Sequence, residues 1–281
     1  MTKQILIMGE SSYHNRENFW NELCGTNAFR NLGLKEINPE SLKIFDSWYM
    51  NDMYPYLYKY LQFDHLKDKS VLEIGLGFGT VGERIFLSAK RYIGIDYAQN
   101  PVDLMHQRIK YHGKENTAKA IRANAHSLPF DDDTFDSIIS IGCLHHTGET
   151  HKSVLEIYRV LKKGSKTVIM LYNKNSFRRI FLNPLRYLLL ALIRKNKFMD
   201  YDEFDRSIYD SDSDGNTPPV TEFVSKKNIE SLFSYFQEVS IEIENFDDLY
   251  LPKTRIGISR KWLLNNLAKV WGLDLYITAR K

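Results

Sequence analysis

Three glycines alternate with other residues directly after a short apolar run. Residues 71–74, Val-Leu-Glu-Ile, predict a buried strand, and Gly75, Gly77 and Gly79 predict a turn whose backbone a ligand can approach closely. A helix is expected to begin at Thr80. A strand, a glycine turn and a helix N-terminus present free backbone N–H groups at the carboxyl end of a sheet, where nucleotide-like ligands bind in open α/β folds. The sequence therefore predicts a nucleotide-like ligand at this turn.

The nature of this ligand follows from the glycine spacing and two carboxylates. The third glycine comes one residue earlier than in the dinucleotide fingerprint G-x-G-x-x-G, which argues against NAD. Glu73 precedes the first glycine by two residues, where a carboxylate would repel a diphosphate but attract a cation. Residues 91–95 predict a second strand that ends at Asp96, where a carboxylate can accept both hydroxyls of a ribose. A cationic nucleoside fits this pattern best.

Three segments of the sequence resemble motifs of a known family and occur in the same order as in that family. The segment E-x-G-x-G-x-G, from Glu73 to Gly79, resembles the first motif of the class I S-adenosylmethionine-dependent methyltransferases. Residues 120–131 resemble the family segment G-D-A-x-x-L-P-F, with Asn124 in place of its usual Asp, and residues 143–146, Cys-Leu-His-His, resemble a third segment. The chain is similar to the small-molecule methyltransferases of the ubiquinone and menaquinone biosynthesis type.

The resemblance implies S-adenosyl-L-methionine as the cofactor and a Rossmann-like, doubly wound α/β fold. We expect a seven-stranded, mostly parallel sheet with an antiparallel closing strand, all in one structural domain. Residues 1–69 are the predicted N-terminal cap or lid, and residues 70–281 are the core, with a helical insertion at about 173–224 after the fifth strand. The residues assigned to cofactor binding through the resemblance are Glu73, Gly75, Gly77, Gly79, Thr80, Asp96, Tyr97, Asn124, Ala125, Ile141, Trp20, Gly25 and Thr26.

The methyl acceptor is expected beyond the fourth predicted strand, residues 135–142. His145 and His146 follow this strand, and His145 is the predicted general base, although a purely structural hydrogen-bonding role for either histidine stays open. Residues 19–26, Phe-Trp-Asn-Glu-Leu-Cys-Gly-Thr, resemble a family segment that folds over cofactor and substrate, or else they anchor the cap by packing alone. The predicted acceptor-binding residues are Tyr13, His146, Tyr172 and Arg178.

The composition argues against several other classes of function. A net charge of +3 among 281 residues is too small to indicate a nucleic-acid-binding protein. Two cysteines far apart in sequence, without a secretory signal, indicate the reducing cytoplasm. Residues 210–215, Asp-Ser-Asp-Ser-Asp-Gly, resemble the start of an EF-hand loop, but Thr221 stands where that loop needs Glu. We expect a mobile acidic loop there, no metal, and a small molecule as the methyl acceptor.

The sequence does not decide what the apolar face of one predicted helix packs against. It runs from Asn183 to about Lys195, with leucines along it and arginines around it. A lid or homodimer helix with a buried apolar face is favoured over a helix that lies on a membrane or holds a lipid-like substrate. The sequence thus predicts methyl transfer to a small molecule. The alternatives are a membrane-associated methyltransferase of a lipid or prenylated quinol, and a non-catalytic cofactor-binding subunit.

Overall fold

The fold is built on one seven-stranded sheet. The computed structural model describes residues 17–193, 199–250 and 257–281. The strands in chain order are β1 (Ser70–Ile74), β2 (Arg91–Asp96), β3 (Ala118–Arg122), β4 (Phe135–Ile141), β5 (Leu161–Tyr172), β6 (Gln237–Glu244), β7 (Leu249–Tyr250), β8 (Gly257–Ile258) and β9 (Asp274–Arg280). The large sheet has the order β3-β2-β1-β4-β5-β9-β6, and β7 pairs with β8 separately.

The strand directions create a crevice beside β1. Strands β1 to β5 are parallel, whereas β9 runs antiparallel to both β5 and β6. Strands β2 and β4 flank β1, so the chain winds away from β1 in both directions, and ligands bind outside the carboxyl ends of strands at such a switch point. The predicted doubly wound, mostly parallel sheet with an antiparallel closing strand is confirmed.

Both faces of this sheet are buried. Leu72 and Ile74 belong to one buried apolar cluster and Val71 to another, because successive side chains of a strand point to opposite faces. Within the described ranges, every helix is too short or too polar to cross a membrane. The helices are α1 (Thr26–Asn31), α2 (Pro39–Trp48), α3 (Leu57–Leu61), α4 (Thr80–Ser88), α5 (Gln99–Tyr111), α6 (Thr150–Val160), α7 (Asn183–Ile193), α8 (Tyr201–Ser207), α9 (Lys226–Leu232), α10 (Arg260–Asn266) and α11 (Ala268–Trp271).

The segment before β1 packs on the core in two places. Phe29 of α1 and Phe45 of α2 contact Phe78 of the glycine turn, with ring centroids 5.1 and 4.4 Å away. Leu57 and Leu61 of α3 are instead buried in the cluster that contains Val71 of the sheet. The first half of this segment therefore covers the glycine turn and the second half completes the core. Its division from the core at residue 69 stays a prediction.

A buried ion pair joins the cap to the helices around the glycine turn. Asp46 of α2 accepts hydrogen bonds from Arg108 Nη1 and Nη2 of α5, at 2.8 and 2.9 Å. Thr80 Oγ1, at the start of α4, donates to Asp46 at 2.5 Å, and Arg108 Nη1 also donates to Glu83 at 2.6 Å. The side chains of Asp46 and Arg108 are 7% and 3% exposed, so neither charge is hydrated enough to stand alone.

We expect Asp46→Ala to lower the free energy of unfolding by about 3–5 kcal/mol, because it leaves the Arg108 guanidinium buried without its main partner. Urea denaturation followed by circular dichroism measures the loss. Asp68→Ala, at an exposed carboxylate, is the matched control and should change stability by less than about 0.5 kcal/mol. Equal stabilities for the two variants would contradict a structural role for the ion pair.

Candidate functional site

A large cavity opens at the carboxyl ends of β1, β2 and β4, between the sheet and the cap. The glycine turn forms its floor, and cap residues such as Trp20 and Tyr49 form part of its wall. Its lining is mainly apolar, with a few carboxylates, imidazoles and amides among the apolar groups. The lining residues that the sequence predicted are Trp20, Glu73, Gly75, Gly77, Thr80, Asp96, Tyr97, Asn124, Ala125, Ile141 and His146.

The glycine turn is shaped by close contacts that exclude side chains. Gly75, Gly77 and Gly79 have φ angles of +87°, +49° and +80°, a region that residues with a Cβ atom rarely adopt. A Cβ atom on Gly75 would lie 2.4 Å from Cys143 Cβ, so the end of β4 packs directly against the turn. A Cβ on Gly79 would lie 2.9 Å from Arg108 Cδ. Gly79 therefore faces the packing of α4 on α5, outside the cavity lining.

Asp96 holds the glycine turn and still faces the cavity. Its Oδ2 accepts the backbone N–H of Leu76 at 2.8 Å, and its Oδ1 accepts that of Ala98 at 3.0 Å. Burial raises the pKa of Asp96, and these backbone donors oppose the rise. Asp96 also lines the cavity, where a carboxylate can accept ribose hydroxyls, so the structure fits an adenosine ligand.

Glu73 is a buried carboxylate without a cationic partner in the described ranges. It is 3% exposed, and Tyr92 Oη donates a hydrogen bond to it. Gly82 of α4 makes this contact possible, since a Cβ there would lie 2.4 Å from Glu73 Oε2. Burial raises the pKa of Glu73 to about 8, and the Tyr92 hydrogen bond opposes the rise. An unpaired carboxylate that lines a cavity favours a cationic ligand, as S-adenosylmethionine is.

The cavity is also lined by residues at or just after the ends of β2, β3 and β4, namely Tyr97, Asn124, Ala125 and Ile141. Asn124 Oδ1 accepts the backbone N–H of His126 at 2.9 Å. The amide oxygen therefore shapes the loop after β3, and its second lone pair stays available to a ligand. Its expected hydrogen bond with the adenine amino group stays a prediction.

His146 reaches the cavity with both ring nitrogens engaged. Nδ1 lies 3.1 Å from the carbonyl oxygen of Val220 and can donate to it. Nε2 lies 3.4 Å from Oδ2 of Asp210, and the same carboxylate oxygen accepts a hydrogen bond from Tyr172 Oη at 2.9 Å. The ring of Trp20 packs on the imidazole at 4.6 Å between centroids. A proton on Nε2 would therefore face a carboxylate.

Several predicted site residues lie outside the cavity lining. His145 is fully buried behind His146 and Tyr172, and within the described ranges neither of its ring nitrogens has a hydrogen-bond partner. Burial lowers the pKa of His145 well below its usual range, because it disfavours the charged imidazole. Arg178 donates to Asp247, on the side of the insertion away from the cavity lining.

The remaining predicted positions belong to the cap. Gly25 has a φ of +98°, and a Cβ on it would lie 3.1 Å from the ring of Phe45. Thr26 Oγ1 donates to the carbonyl oxygen of Leu23 at 2.7 Å, which begins α1. Both residues shape the lid and do not line the cavity. Tyr13 lies outside the described residues.

The acidic loop, residues 210–215, is hydrogen-bonded to the cap. The backbone N–H of Ser213 donates to Glu22 at 2.9 Å, and Asn27 Nδ2 donates to the carbonyl oxygen of Ser211 at 2.8 Å. The loop expected to be mobile is thus bonded to the cap, and it brings Asp210 to His146. Across the described ranges, no group of three or more metal-ligating side chains is close enough to hold an ion.

Sequence reasoning missed Asp210, Cys143, Cys24 and Tyr49. Cys143, Cys24 and Tyr49 line the cavity. Burial raises the pKa of the Cys143 thiol, so at neutral pH it is a neutral packing group and not a nucleophile. The position of Cys143 directly after β4 was a usable signal. The pairing of Asp210 with His146 could not be predicted from the sequence, because 64 residues separate them in the chain.

We expect Glu73→Gln to stabilise the ligand-free protein above about pH 8, by up to about 5 kcal/mol. The pKa of Glu73 is higher in the folded state than its ordinary value of 4.5, so its contribution to stability is present below pH 4.5 and is lost as the pH rises to about 8. Gln cannot ionise and keeps a carbonyl that accepts from Tyr92.

Urea unfolding of both proteins at several pH values measures this difference. The advantage of Glu73→Gln should grow between about pH 5 and pH 8 and then level off. Glu115→Gln, at an exposed position, serves as the control and should show no such trend. A constant difference across this range would mean that Glu73 has the same proton affinity in the folded and unfolded chain.

The chain is similar to known methyltransferases in sequence and in fold. The family described as a methyltransferase domain matches residues 72–169. A demethylmenaquinone methyltransferase of Clavibacter sepedonicus is 31% identical over 100 residues, which cover 35% of this chain and 39% of that protein. Phosphoethanolamine N-methyltransferase 2 of Caenorhabditis elegans is 29% identical over 112 residues, which cover 40% and 25%. The chain thus spans less than half the length of these two relatives.

A solved structure extends the similarity over most of the fold. The S-adenosylmethionine-dependent methyltransferase of Methanosarcina mazei superposes with a TM-score of 0.54 at 23% identity and covers 82% of this chain and 98% of its own. The family match spans β1 to β5, a region that includes the glycine turn and Asp96. The structural superposition extends the similarity to the closing strands. Residues 72–169 are thus similar in sequence to a methyltransferase domain, and the chain as a whole shares the fold of a known methyltransferase.

Proposed function

We propose that the protein transfers a methyl group from S-adenosylmethionine to a small molecule. The observation that carries this proposal is the unpaired, buried carboxylate of Glu73 at one side of the glycine turn, with the ribose-accepting carboxylate of Asp96 at the other. Both carboxylates line the same cavity, as the binding of a nucleoside with a cationic end would require. When bound, S-adenosylmethionine supplies a methyl group on a sulfonium, which is an excellent leaving group.

The protein's part is to position the reactants and to exclude water. Glu73 attracts the cationic end of the cofactor, and Asp96 holds the ribose while it fixes the glycine turn. Trp20 and Tyr49 close the cavity with apolar surface, and an aromatic face near a cation contributes about 0.5–2 kcal/mol. The docked acidic loop holds this lid in place.

His146 is the proposed general base in place of His145. His145 has no access to the cavity and a strongly lowered pKa, whereas His146 lines the cavity. The imidazole of His146 lines the cavity and can take a proton from an acceptor that is bound there. Asp210 then faces the imidazolium and stabilises it, so Asp210 is a positioning residue for His146.

The acceptor is proposed only as a small molecule. The relatives' names include a phosphoethanolamine N-methyltransferase and a demethylmenaquinone methyltransferase, so similar sequences serve acceptors of different chemistry. The mainly apolar cavity between the sheet and the cap supports a small acceptor over a polymer. Whether oxygen, nitrogen or carbon receives the methyl group depends on the unidentified acceptor.

We expect the protein to bind S-adenosylmethionine and not NADH in calorimetry. Asp96→Asn should weaken the cofactor roughly 10–100-fold, because it loses charge-assisted hydrogen bonds to the ribose worth about 1.5–3 kcal/mol. The amide oxygen can still accept from the glycine turn, and circular dichroism checks that the fold is retained. Binding of NADH in place of S-adenosylmethionine would overturn the proposal.

We expect His146→Gln to lower turnover about 10²–10⁴-fold while cofactor affinity stays within about twofold. Formation of S-adenosylhomocysteine with a panel of phenols, amines, carboxylates and quinols measures turnover. His151→Gln, at an exposed histidine of α6, is the matched control and should leave turnover unchanged. Tight cofactor binding with no methylated product from any member of the panel would favour the non-catalytic binding subunit.

A further inference from the structure

Helix α7 turns its most apolar face to solvent. Leu188 and Leu192 are 58% and 67% exposed, and Leu185 and Leu189 are each more than half exposed. Phe181, in the π-helical turn that leads into α7, is 46% exposed. These five residues form the apolar stripe, since positions 181, 185, 188 and 192 recur at helical spacing. The apolar face that we expected to be buried is therefore uncovered within the described part of the chain.

The rotation of α7 is fixed by its opposite face. Tyr187 contacts Tyr201 and Phe204 of α8, with ring centroids 5.3 and 5.4 Å away. Asn183 Nδ2 donates to the buried Asp205 Oδ1 at 2.6 Å. The stripe cannot turn inward without breaking these contacts. Its exposure is thus a property of the fold and not of a loosely attached helix.

The size of the stripe argues against a second copy of the chain as its partner. An 11-residue helix is about 16 Å long and about 10 Å wide with its side chains. A stable, specific protein interface buries about 800 Å² on each partner, several times the footprint of one such helix. Binding to a bilayer surface does not require such a large buried area, because an amphipathic helix needs only to insert its apolar face about 5–10 Å.

The charges of α7 suit an anionic surface. The helix contains no acidic residue, and its one charged side chain, Arg186, is exposed beside the stripe. The sequence that follows the described part of the helix adds Arg194, Lys195 and Lys197. The acidic residues of α8 belong to a helix that packs on the face opposite the stripe. Basic residues beside an apolar face are typical of helices that lie on anionic membranes.

We propose that the protein binds the surface of an anionic lipid bilayer by laying the apolar stripe of α7 into the headgroup region. This goes beyond the proposed function, because it states where the protein acts, and it holds whether or not the protein transfers methyl groups. The helix lies on the membrane and does not cross it.

The test is cosedimentation of the full chain with vesicles of phosphatidylcholine containing about one third phosphatidylglycerol. The full chain should sediment with these vesicles, and the double variant Leu188→Gln, Leu192→Gln should bind at least tenfold more weakly. Arg186→Ala should weaken binding about fivefold on anionic vesicles and leave binding to pure phosphatidylcholine unchanged. Leu87→Gln, at a 45% exposed leucine of α4, is the matched control and should bind like the unchanged chain.

Three outcomes decide the proposal. Circular dichroism and S-adenosylmethionine titration of the double variant should match those of the unchanged chain, because Leu188 and Leu192 are mostly exposed and do not line the cavity. Failure of the full chain to sediment with either kind of vesicle overturns the proposal. Unchanged vesicle binding by the double variant also overturns it, and a dimer that this variant converts to a monomer in sedimentation would assign the stripe to a second copy of the chain.

Discussion

The structure depends on how the negative charges of three carboxylates around one glycine turn are compensated. Asp46, Glu73 and Asp96 all lie beside this turn, where charge is costly because water is excluded. Asp46 is neutralised by Arg108, which ties the cap to the core. Asp96 is compensated by backbone donors of the turn itself. Among the described residues, Glu73 has only the hydroxyl of Tyr92 as a hydrogen-bond donor, and this imbalance supports the proposed binding of a cationic ligand.

The lid is assembled from two parts of the chain that the fold brings together. The cap precedes β1, and the acidic loop follows β5 after the insertion, yet hydrogen bonds from Asn27 and Ser213 join them. The same loop supplies Asp210 to His146. Closure over the cavity and the electrostatic environment of the proposed base are thus linked, because both depend on one loop. This link explains why the insertion matters to the site although its helices lie away from the cavity.

Much of the fold could be predicted from local patterns. The strand, glycine turn and helix around residues 70–88, and the strand that ends at Asp96, follow from apolar runs and glycine spacing, which are local signals. Cofactor-side positions such as Glu73 and Asn124 were assigned through the resemblance to family segments, and they line the cavity. The prediction of His145 as the general base, with His146 in acceptor binding, had no support from local patterns, since neighbouring residues differ in direction by a rotation that only packing fixes.

Sequence patterns were enough to predict the class of fold, the place of the cavity and the cationic character of its ligand. These depend on residues that are close in the chain and whose geometry is set by strand ends and positive φ angles. The tertiary structure decided which groups are paired: Asp46 with Arg108, Asp210 with His146, and the cap with the acidic loop. It also decided that α7 presents its leucines to solvent, because the direction of a helical face depends on what packs against the opposite side.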